Sequence, residues 1–268
     1  MREFTALLAT DMDGTIIPME VSPRRTEEID RFRDSLGDMS NLGLAYVTGR
    51  DLPLALKGLD QHQLPRPHVL VCDVGTSVYQ SNGEGFERDL EYEEVLKEAR
   101  GNRDVREVRA EFVRFPELQL QPEERQTESK LCFRLSPEVD HQKTVVSVQE
   151  LLAEMGGTLQ AVYSIGAPHG TGLLDILPAG VAKDFADRSL QAKTGVATDS
   201  LVYAGDSGND LAALLAGFNS IVVGNATSAF REEVALKGKE SGVLDRLYFS
   251  RAFYAAGVLE GCEHFGLL

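Results

Sequence analysis

The chain is short of cysteine, of positive charge and of long apolar runs. Its three cysteines, Cys72, Cys132 and Cys262, stand far apart in apolar contexts and none belongs to a C-x-x-C pair. That excludes a disulfide scaffold and a cysteine-ligated zinc site, and it predicts buried thiols in a reducing compartment. Lys and Arg number 27 against 42 Asp and Glu, for a formal net charge of -15. Nucleic-acid phosphates need a basic face, so a nucleic-acid partner is excluded as an expectation. No apolar run approaches membrane-spanning length, and the N-terminus shows no basic-then-apolar signal pattern. A cytoplasmic protein with no membrane partner is expected.

What is present is a chain of 268 residues with 43% hydrophobic content, enough for one large core or two modest domains. Three regions emerge. Over residues 1–82, apolar runs (Ala6–Ala9, Leu44–Val47, Val69–Val71) alternate with amphipathic stretches such as Thr26–Asp38. This is the pattern of β-α-β units around a parallel sheet. Ser22-Pro23 followed by Thr26-Glu27-Glu28 reads as a helix start. From residue 179 the alternation returns, with a helix expected over Lys183–Thr194, a strand over Ser200–Ala204 and a helix over Asp210–Ala216. A strand over Ser220–Val223 and a last helix over Arg251–Phe265 complete it.

Residues 83–178 differ in character. Acidic helical patterns cover Glu91–Arg103 and Asp140–Met155, and candidate strands cover Lys130–Leu135, Leu159–Ile165 and Gly172–Leu177. Glu107–Thr127, with Pro116 and Pro122, reads as an irregular connecting or lid segment. The expected fold is α/β: a doubly wound, mostly parallel Rossmann-like core of residues 1–82 and 179–268, with residues 83–178 inserted as a smaller α+β domain. In such folds ligands bind at the strand C-termini.

Four of those strand ends carry reactive side chains. Asp11-Met12-Asp13-Gly14-Thr15 follows the first strand. Carboxylates at i and i+2 point the same way, and like charges this close call for a cation or a shared proton. A hard divalent ion such as Mg²⁺ suits oxygen ligands. One carboxylate can then attack an electrophile while the other shuttles a proton. Thr48-Gly49-Arg50 ends the second strand, where a hydroxyl and backbone N–H groups can bind a phosphoryl oxygen. Lys183 opens a helix after Pro178-Ala179-Gly180 and can neutralise both nucleophile and phosphoryl group. Gly205-Asp206-Ser207-Gly208-Asn209-Asp210 supplies two further carboxylates; its alternative reading is a loop in which Asp210 caps the helix that follows.

In order and spacing these four motifs resemble the haloacid dehalogenase superfamily of aspartate-nucleophile phosphatases. The resemblance implies Asp11 as nucleophile and Asp13 as general acid and base. It implies Mg²⁺ held by Asp11, by Asp13 through its backbone carbonyl, and by Asp206, with Asp210 as a further member of the metal site. Thr48, Gly49, Lys183 and Asn209 form the implied phosphate-binding set, Asn209 and Asp210 also supporting Lys183. An insertion between Thr48 and Lys183 resembles the members with a large α/β cap over the active site.

Further segments are similar to the sucrose-phosphate phosphatase family in particular. They are Val74-Gly75-Thr76, Leu174-Asp175-Ile176-Leu177-Pro178, Val222-Val223-Gly224-Asn225-Ala226, and Ala255-Ala256-Gly257-Val258-Leu259-Glu260 with His264-Phe265. The expected reaction is hydrolysis of a phosphorylated disaccharide, sucrose 6-phosphate first. Mannosylfructose phosphate, glucosylglycerol phosphate, general sugar-phosphate hydrolysis, a phosphomutase and a non-catalytic sugar-phosphate-binding protein are the alternatives. Arg50, Gly75, Thr76 and Lys130 are candidate substrate contacts. For Gly75 and Thr76 the alternative is a tight turn; for Lys130 it is a charge on an edge strand. The expected partner is a small-molecule sugar phosphate, and a sugar-phosphate synthase or glycosyltransferase is the candidate protein partner.

Overall fold

The computed structural model describes residues 4–20, 22–37, 41–101, 103–166 and 171–268. The chain divides into two compact units, Met1–Arg88 with Lys183–Leu268, and Asp89–Ala182.

The chain begins in the first unit with β1 (Ala6–Thr10), α1 (Pro23–Gly37), β2 (Leu42–Val47), α2 (Leu52–Gln61) and β3 (Val69–Cys72). Pro23 occupies the first turn of α1, where a missing N–H costs nothing. The predicted end of this helix at Asp38 lies outside the described residues. Asp51 caps α2 by accepting from Leu54 N at 2.9 Å. Two short antiparallel strands follow, β4 (Ser77–Ser81) and β5 (Phe86–Arg88).

The second unit runs through α3 (Leu90–Ala99), a 3₁₀ helix (Val105–Arg114), β6 (Leu118–Leu120), β7 (Leu131–Leu135), α4 (His141–Glu154), β8 (Leu159–Gly166) and β9 (Thr171–Pro178). Its sheet has the order β6-β7-β9-β8, antiparallel throughout. Phe112, Leu131, Phe133, Val148, Leu151, Leu174 and Ile176 share its apolar core. Two expectations need correction. The helix predicted to reach Arg103 stops at Ala99, because Gly101 takes φ +63° and breaks the repeat. The segment Glu107–Thr127, read as irregular, contains most of the 3₁₀ helix and β6. Asp104 caps that helix by accepting from Arg106 N at 2.9 Å, and Val105 and Phe112 anchor it in the core.

The chain then completes the first unit with α5 (Lys183–Thr194), β10 (Leu201–Gly205), α6 (Leu211–Leu214), β11 (Asn219–Val222), α7 (Ser228–Glu240), β12 (Leu247–Phe249) and α8 (Tyr254–His264). Its eight-stranded sheet has the order β12-β11-β10-β1-β2-β3-β4-β5, parallel from β12 to β3. The inner strands are buried on both faces, which explains why they read as continuous apolar runs. Leu8, Leu44, Tyr46, Leu70, Val202 and Ile221 share one cluster with Phe32 of α1, Leu59 of α2 and Val258 of α8. Each fully buried aliphatic or phenylalanine side chain among them is worth roughly 1.5–3 kcal/mol. Strand order reverses at β1, which lies between β2 and β10, so the crevice of a doubly wound sheet opens beyond the ends of β1 and β10. Among the described residues no helix is long and apolar enough to cross a membrane.

Candidate functional site

Beyond β1 the chain turns at once. Met12 O accepts from Ile16 N at 3.0 Å and Ile17 N at 2.7 Å, while Gly14 N donates to Ile17 O at 2.9 Å. Met12, Ile16 and Ile17 are buried and pin the loop to the core. Gly14 has φ +81°, and a Cβ there would lie 2.4 Å from Asp206 Oδ2. Glycine is therefore needed twice, for backbone conformation and for the close approach of a carboxylate.

Asp11 is 4% exposed, and Lys183 and Asp210 are fully buried. Lys183, at the first turn of α5, donates to Asp11 Oδ1 at 2.6 Å and Asp210 Oδ1 at 2.7 Å. Asp210 Oδ1 also accepts from Tyr203 OH at 2.7 Å. Its Oδ2 accepts from Asp206 N at 3.0 Å and Ser207 N at 3.1 Å. Both oxygens of Asp210 are thus engaged by donors, and it acts as the brace of the Gly205–Asp210 loop and of Lys183. Gly205 permits this, since a Cβ on it would stand 2.6 Å from the Asp210 side chain. Asp206 Oδ1 accepts from the Thr15 hydroxyl at 2.9 Å, joining the two loops.

The electrostatics follow from burial. Burial raises the Asp11 carboxyl well above the usual range, against the pull of Lys183, and the neighbouring Asp210, Asp206 and Asp13 raise it further. Asp206 is pushed up to about 7, first by burial, then by Asp210. Burial works against the Lys183 ammonium too, but Asp11 and Asp210 outweigh it and hold its proton more firmly than usual. Asp11, Asp206 and Asp210 each offer an oxygen within 4.8 Å of the others. One ammonium contacts two of these three carboxylates, an acid-rich arrangement whose charge a divalent cation would balance. The donor set, all oxygen, fits Mg²⁺.

Asp13, beside that cluster, is held by its own partner. Arg50 grips both its oxygens, Nε to Oδ2 at 2.6 Å and Nη2 to Oδ1 at 2.6 Å, and donates Nη1 to Leu54 O at 2.9 Å. A Cβ on Gly58 would lie 2.4 Å from Arg50 Nη1, so α2 leaves a notch for the guanidinium. The Arg50 loop is in turn tied to the turn after β3. Asp73 N donates to Arg50 O at 2.9 Å and Val74 N to Thr48 O at 3.0 Å. Asp73, Val74 and Gly75 all take positive φ (54°, 59° and 96°), a costly arrangement for a β-branched valine. Thr48 is buried, its hydroxyl accepting from Arg50 N at 3.2 Å, and Gly49 lies beside Asn209.

A sequence profile of the family described as sucrose-6F-phosphate phosphohydrolase matches residues 4–266. The chain belongs to that family. It is a sugar-phosphate phosphatase with the haloacid dehalogenase fold. A protein described as a HAD-like hydrolase from Nitrosococcus oceani is 30% identical over 97% of this chain and 71% of its own. A mannosylfructose-phosphate phosphatase from Agrobacterium fabrum is 28% identical over 97% of each chain. The solved sucrose-phosphatase from Synechocystis, in complex with sucrose and phosphate, superimposes with a TM-score of 0.81 at 25% identity, covering 98% of both chains.

In this member of the sucrose-6F-phosphate phosphohydrolase family, the first unit brings together Asp11, Lys183, Asp206 and Asp210, and it pairs Arg50 with Asp13. Gly75 and Thr76 form a buried tight turn whose Thr76 hydroxyl donates to Asp73 O at 2.9 Å. Lys130 belongs to the second unit, 4% exposed, immediately before β7. Lys130 itself bridges to Thr127, while β7 lies between β6 and β9 and meets β6 only at Phe133–Leu135. Sequence reading quoted Thr15 and Asn225 within motifs without giving either a role, and it missed Tyr203 and Gly58. Tyr203 sits within an apolar run and reads as core. Asn225 follows an apolar strand, the same signal that marks the other site loops.

Proposed function

We propose that this chain hydrolyses the phosphate ester of a disaccharide, sucrose 6-phosphate first, through an aspartyl-phosphate on Asp11. The observation that carries the reading is the buried Asp11–Lys183–Asp210 arrangement at the β1/β10 reversal, with Asp206 beside it. Asp11 and Asp206, with the backbone carbonyl of Asp13, would hold Mg²⁺. When bound, that ion supplies positive charge opposite the phosphoryl oxygens.

An Asp11 oxygen attacks phosphorus, and the bond from phosphorus to the sugar oxygen breaks. Asp13 gives its proton to that oxygen, which leaves as the sugar hydroxyl. Asp13 then takes a proton from water as the water oxygen attacks phosphorus, releasing inorganic phosphate and restoring Asp11. Each Asp13 oxygen accepts one N–H from Arg50 and keeps a second lone pair, so Arg50 can hold the side chain while it carries the proton. Lys183 orients Asp11 and pulls its carboxyl toward the ionised form against the effect of burial, while Thr48 and the neighbouring backbone receive phosphoryl oxygens. The groups at the strand ends of the first unit are committed to this transfer, so sugar discrimination is assigned to the Asp89–Ala182 unit as a specificity cap, with Lys130 among its candidates. A sugar-phosphate synthase or glycosyltransferase is the class of enzyme that supplies such a substrate.

The test is Mg²⁺-dependent phosphate release from sucrose 6-phosphate, mannosylfructose phosphate, glucosylglycerol phosphate, trehalose 6-phosphate and simple hexose phosphates, with Asp11→Asn as control. A kcat/KM for one disaccharide phosphate at least a hundredfold above the hexose phosphates supports the reading. A flat profile refutes the disaccharide assignment, and full activity in Asp11→Asn refutes the nucleophile.

A further inference from the structure

One side chain in the loop after β11 joins the Asp11–Thr15 turn to the start of α8. Asn225 Nδ2 donates to Gly14 O at 2.6 Å, and Asn225 Oδ1 accepts from Tyr254 N at 2.8 Å. The polarity of the partners fixes the amide's orientation: a carbonyl only accepts and an N–H only donates.

The surrounding backbone is built to hold this bond. Gly224 N donates to Ala252 O at 2.9 Å. A Cβ on Gly224 would lie 2.5 Å from both Arg251 O and Ala252 O, and one on Gly257 would lie 2.4 Å from Ala252 O. Glu260 accepts from Ala252 N at 2.7 Å, and the Ser250 hydroxyl donates to Gly257 O at 2.7 Å. This packing also explains why α8 starts at Tyr254 and not at Arg251. Tyr254 itself takes φ 52°, the left-handed region that side chains avoid, and is buried. The Arg25 guanidinium covers its ring at 4.7 Å from the centroid. Strain of this kind persists only where the surroundings over-determine it, and here it aims the Tyr254 N–H at Asn225.

We infer that Asn225 is a positioning residue for phosphoryl transfer, holding the Gly14–Thr15 peptide against a scaffold made by the C-terminal segment. That peptide follows Asp13 directly and carries Thr15, whose hydroxyl orients Asp206. Loosening it lets Asp13 and Asp206 wander while leaving the phosphate-binding groups of Thr48 and Lys183 in place. The inference rests on the proposed role of the Asp11 loop, and the C-terminal segment thereby gains a part in the chemistry.

The experiment compares wild type with Asn225→Ala and Asn225→Asp. Asn225→Asp changes almost no volume, keeps the bond to Tyr254 N and turns an anion toward the Gly14 carbonyl, so it guards against simple misfolding. Three quantities are read: kcat and KM for sucrose 6-phosphate, amide hydrogen exchange in the peptide covering 11–17, and the thermal midpoint. The expected result is a tenfold or greater loss of kcat with KM within threefold. Exchange in 11–17 should rise tenfold while that of β10 is unchanged. Wild-type kcat together with wild-type exchange in both variants overturns the inference, as does a lowered midpoint with kcat and local exchange unaltered. If wild type releases no phosphate from any sugar phosphate while Asn225→Asp still loosens 11–17, the hydrolase reading fails and the brace stands.

Discussion

Lys183 Nζ stands 2.6 Å from Asp11 Oδ1 and 2.7 Å from Asp210 Oδ1, with no exposure to solvent. One ammonium therefore joins the end of β1 to the loop after β10 and satisfies two buried carboxylates at once. Removing one partner of a buried ion pair typically costs about 3–5 kcal/mol, because the remaining charge is stranded. Lys183→Met is expected to lose stability of about that size in urea unfolding and to have no measurable turnover. Stability within 1 kcal/mol of wild type would contradict the buried ion pair.

Asp13 and Arg50 give a second test. The two-point grip depends on the planar guanidinium, which lysine cannot reproduce. Arg50→Lys is expected to lower kcat at least tenfold with little change in the thermal midpoint, since the pair is partly exposed. Gly58→Ala separates the effects further. Alanine in a helix interior stabilises by about 1 kcal/mol over glycine, yet its Cβ invades the place of Arg50 Nη1. A variant as stable as wild type or more so, but slower, is the expected outcome. Wild-type kcat in both variants would remove Arg50 from the mechanism.

Acid–base linkage offers a third. Asp206 is pushed up to about 7, chiefly by burial. A carboxyl whose folded pKa is raised lends stability that is fully present below its ordinary pKa, near 4. That stability is lost as pH rises through the folded value. Metal-free protein should therefore lose stability from about pH 4 to about pH 7 through this group. His62, pushed down by burial and by Arg50, works in the opposite sense. The readout is therefore the thermal midpoint of wild type minus that of Asp206→Asn, which should fall across the interval. A flat difference contradicts the raised carboxyl. Added Mg²⁺ should abolish the fall.

The thiols give the simplest check. Cys72, Cys132 and Cys262 are buried, and burial pushes the Cys262 thiol up to about 12. Access is closed at all three, and at Cys262 the thiolate is disfavoured as well. Titration with a thiol reagent should find no reactive cysteine in the native protein and three in guanidinium. A fast-reacting thiol in the native state would contradict the burial.

Much of the site is legible along the chain because β1, β2 and β10 are buried strands, written as apolar runs, and polar residues follow each run directly. Lys183 is legible for a related reason, opening a helix after a proline and a glycine. Other elements leave fainter marks. Helix α7 buries Phe230, Val234 and Gly238 alone, a stripe too narrow to dominate a charged stretch. Strands β5 and β12 are three residues each, too short for an alternation to register. The grip of Arg50 on Asp13 spans 37 positions, and nothing local announces it.

The order of apolar runs and polar turns is enough to specify a doubly wound sheet and the residue types at its strand ends, because burial demands continuous apolar strands and loops must lie at their ends. The strand order, with its reversal at β1, comes from the tertiary structure. Which of those residues touch is a matter of packing at ångström scale. Gly58 opens a notch for Arg50, Tyr203 delivers a hydroxyl to Asp210 from inside the core, and strain at Tyr254 turns an N–H toward Asn225. Contacts of that kind depend on backbone direction and on the absence of a methyl group, and they exist only once strands far apart in sequence lie side by side.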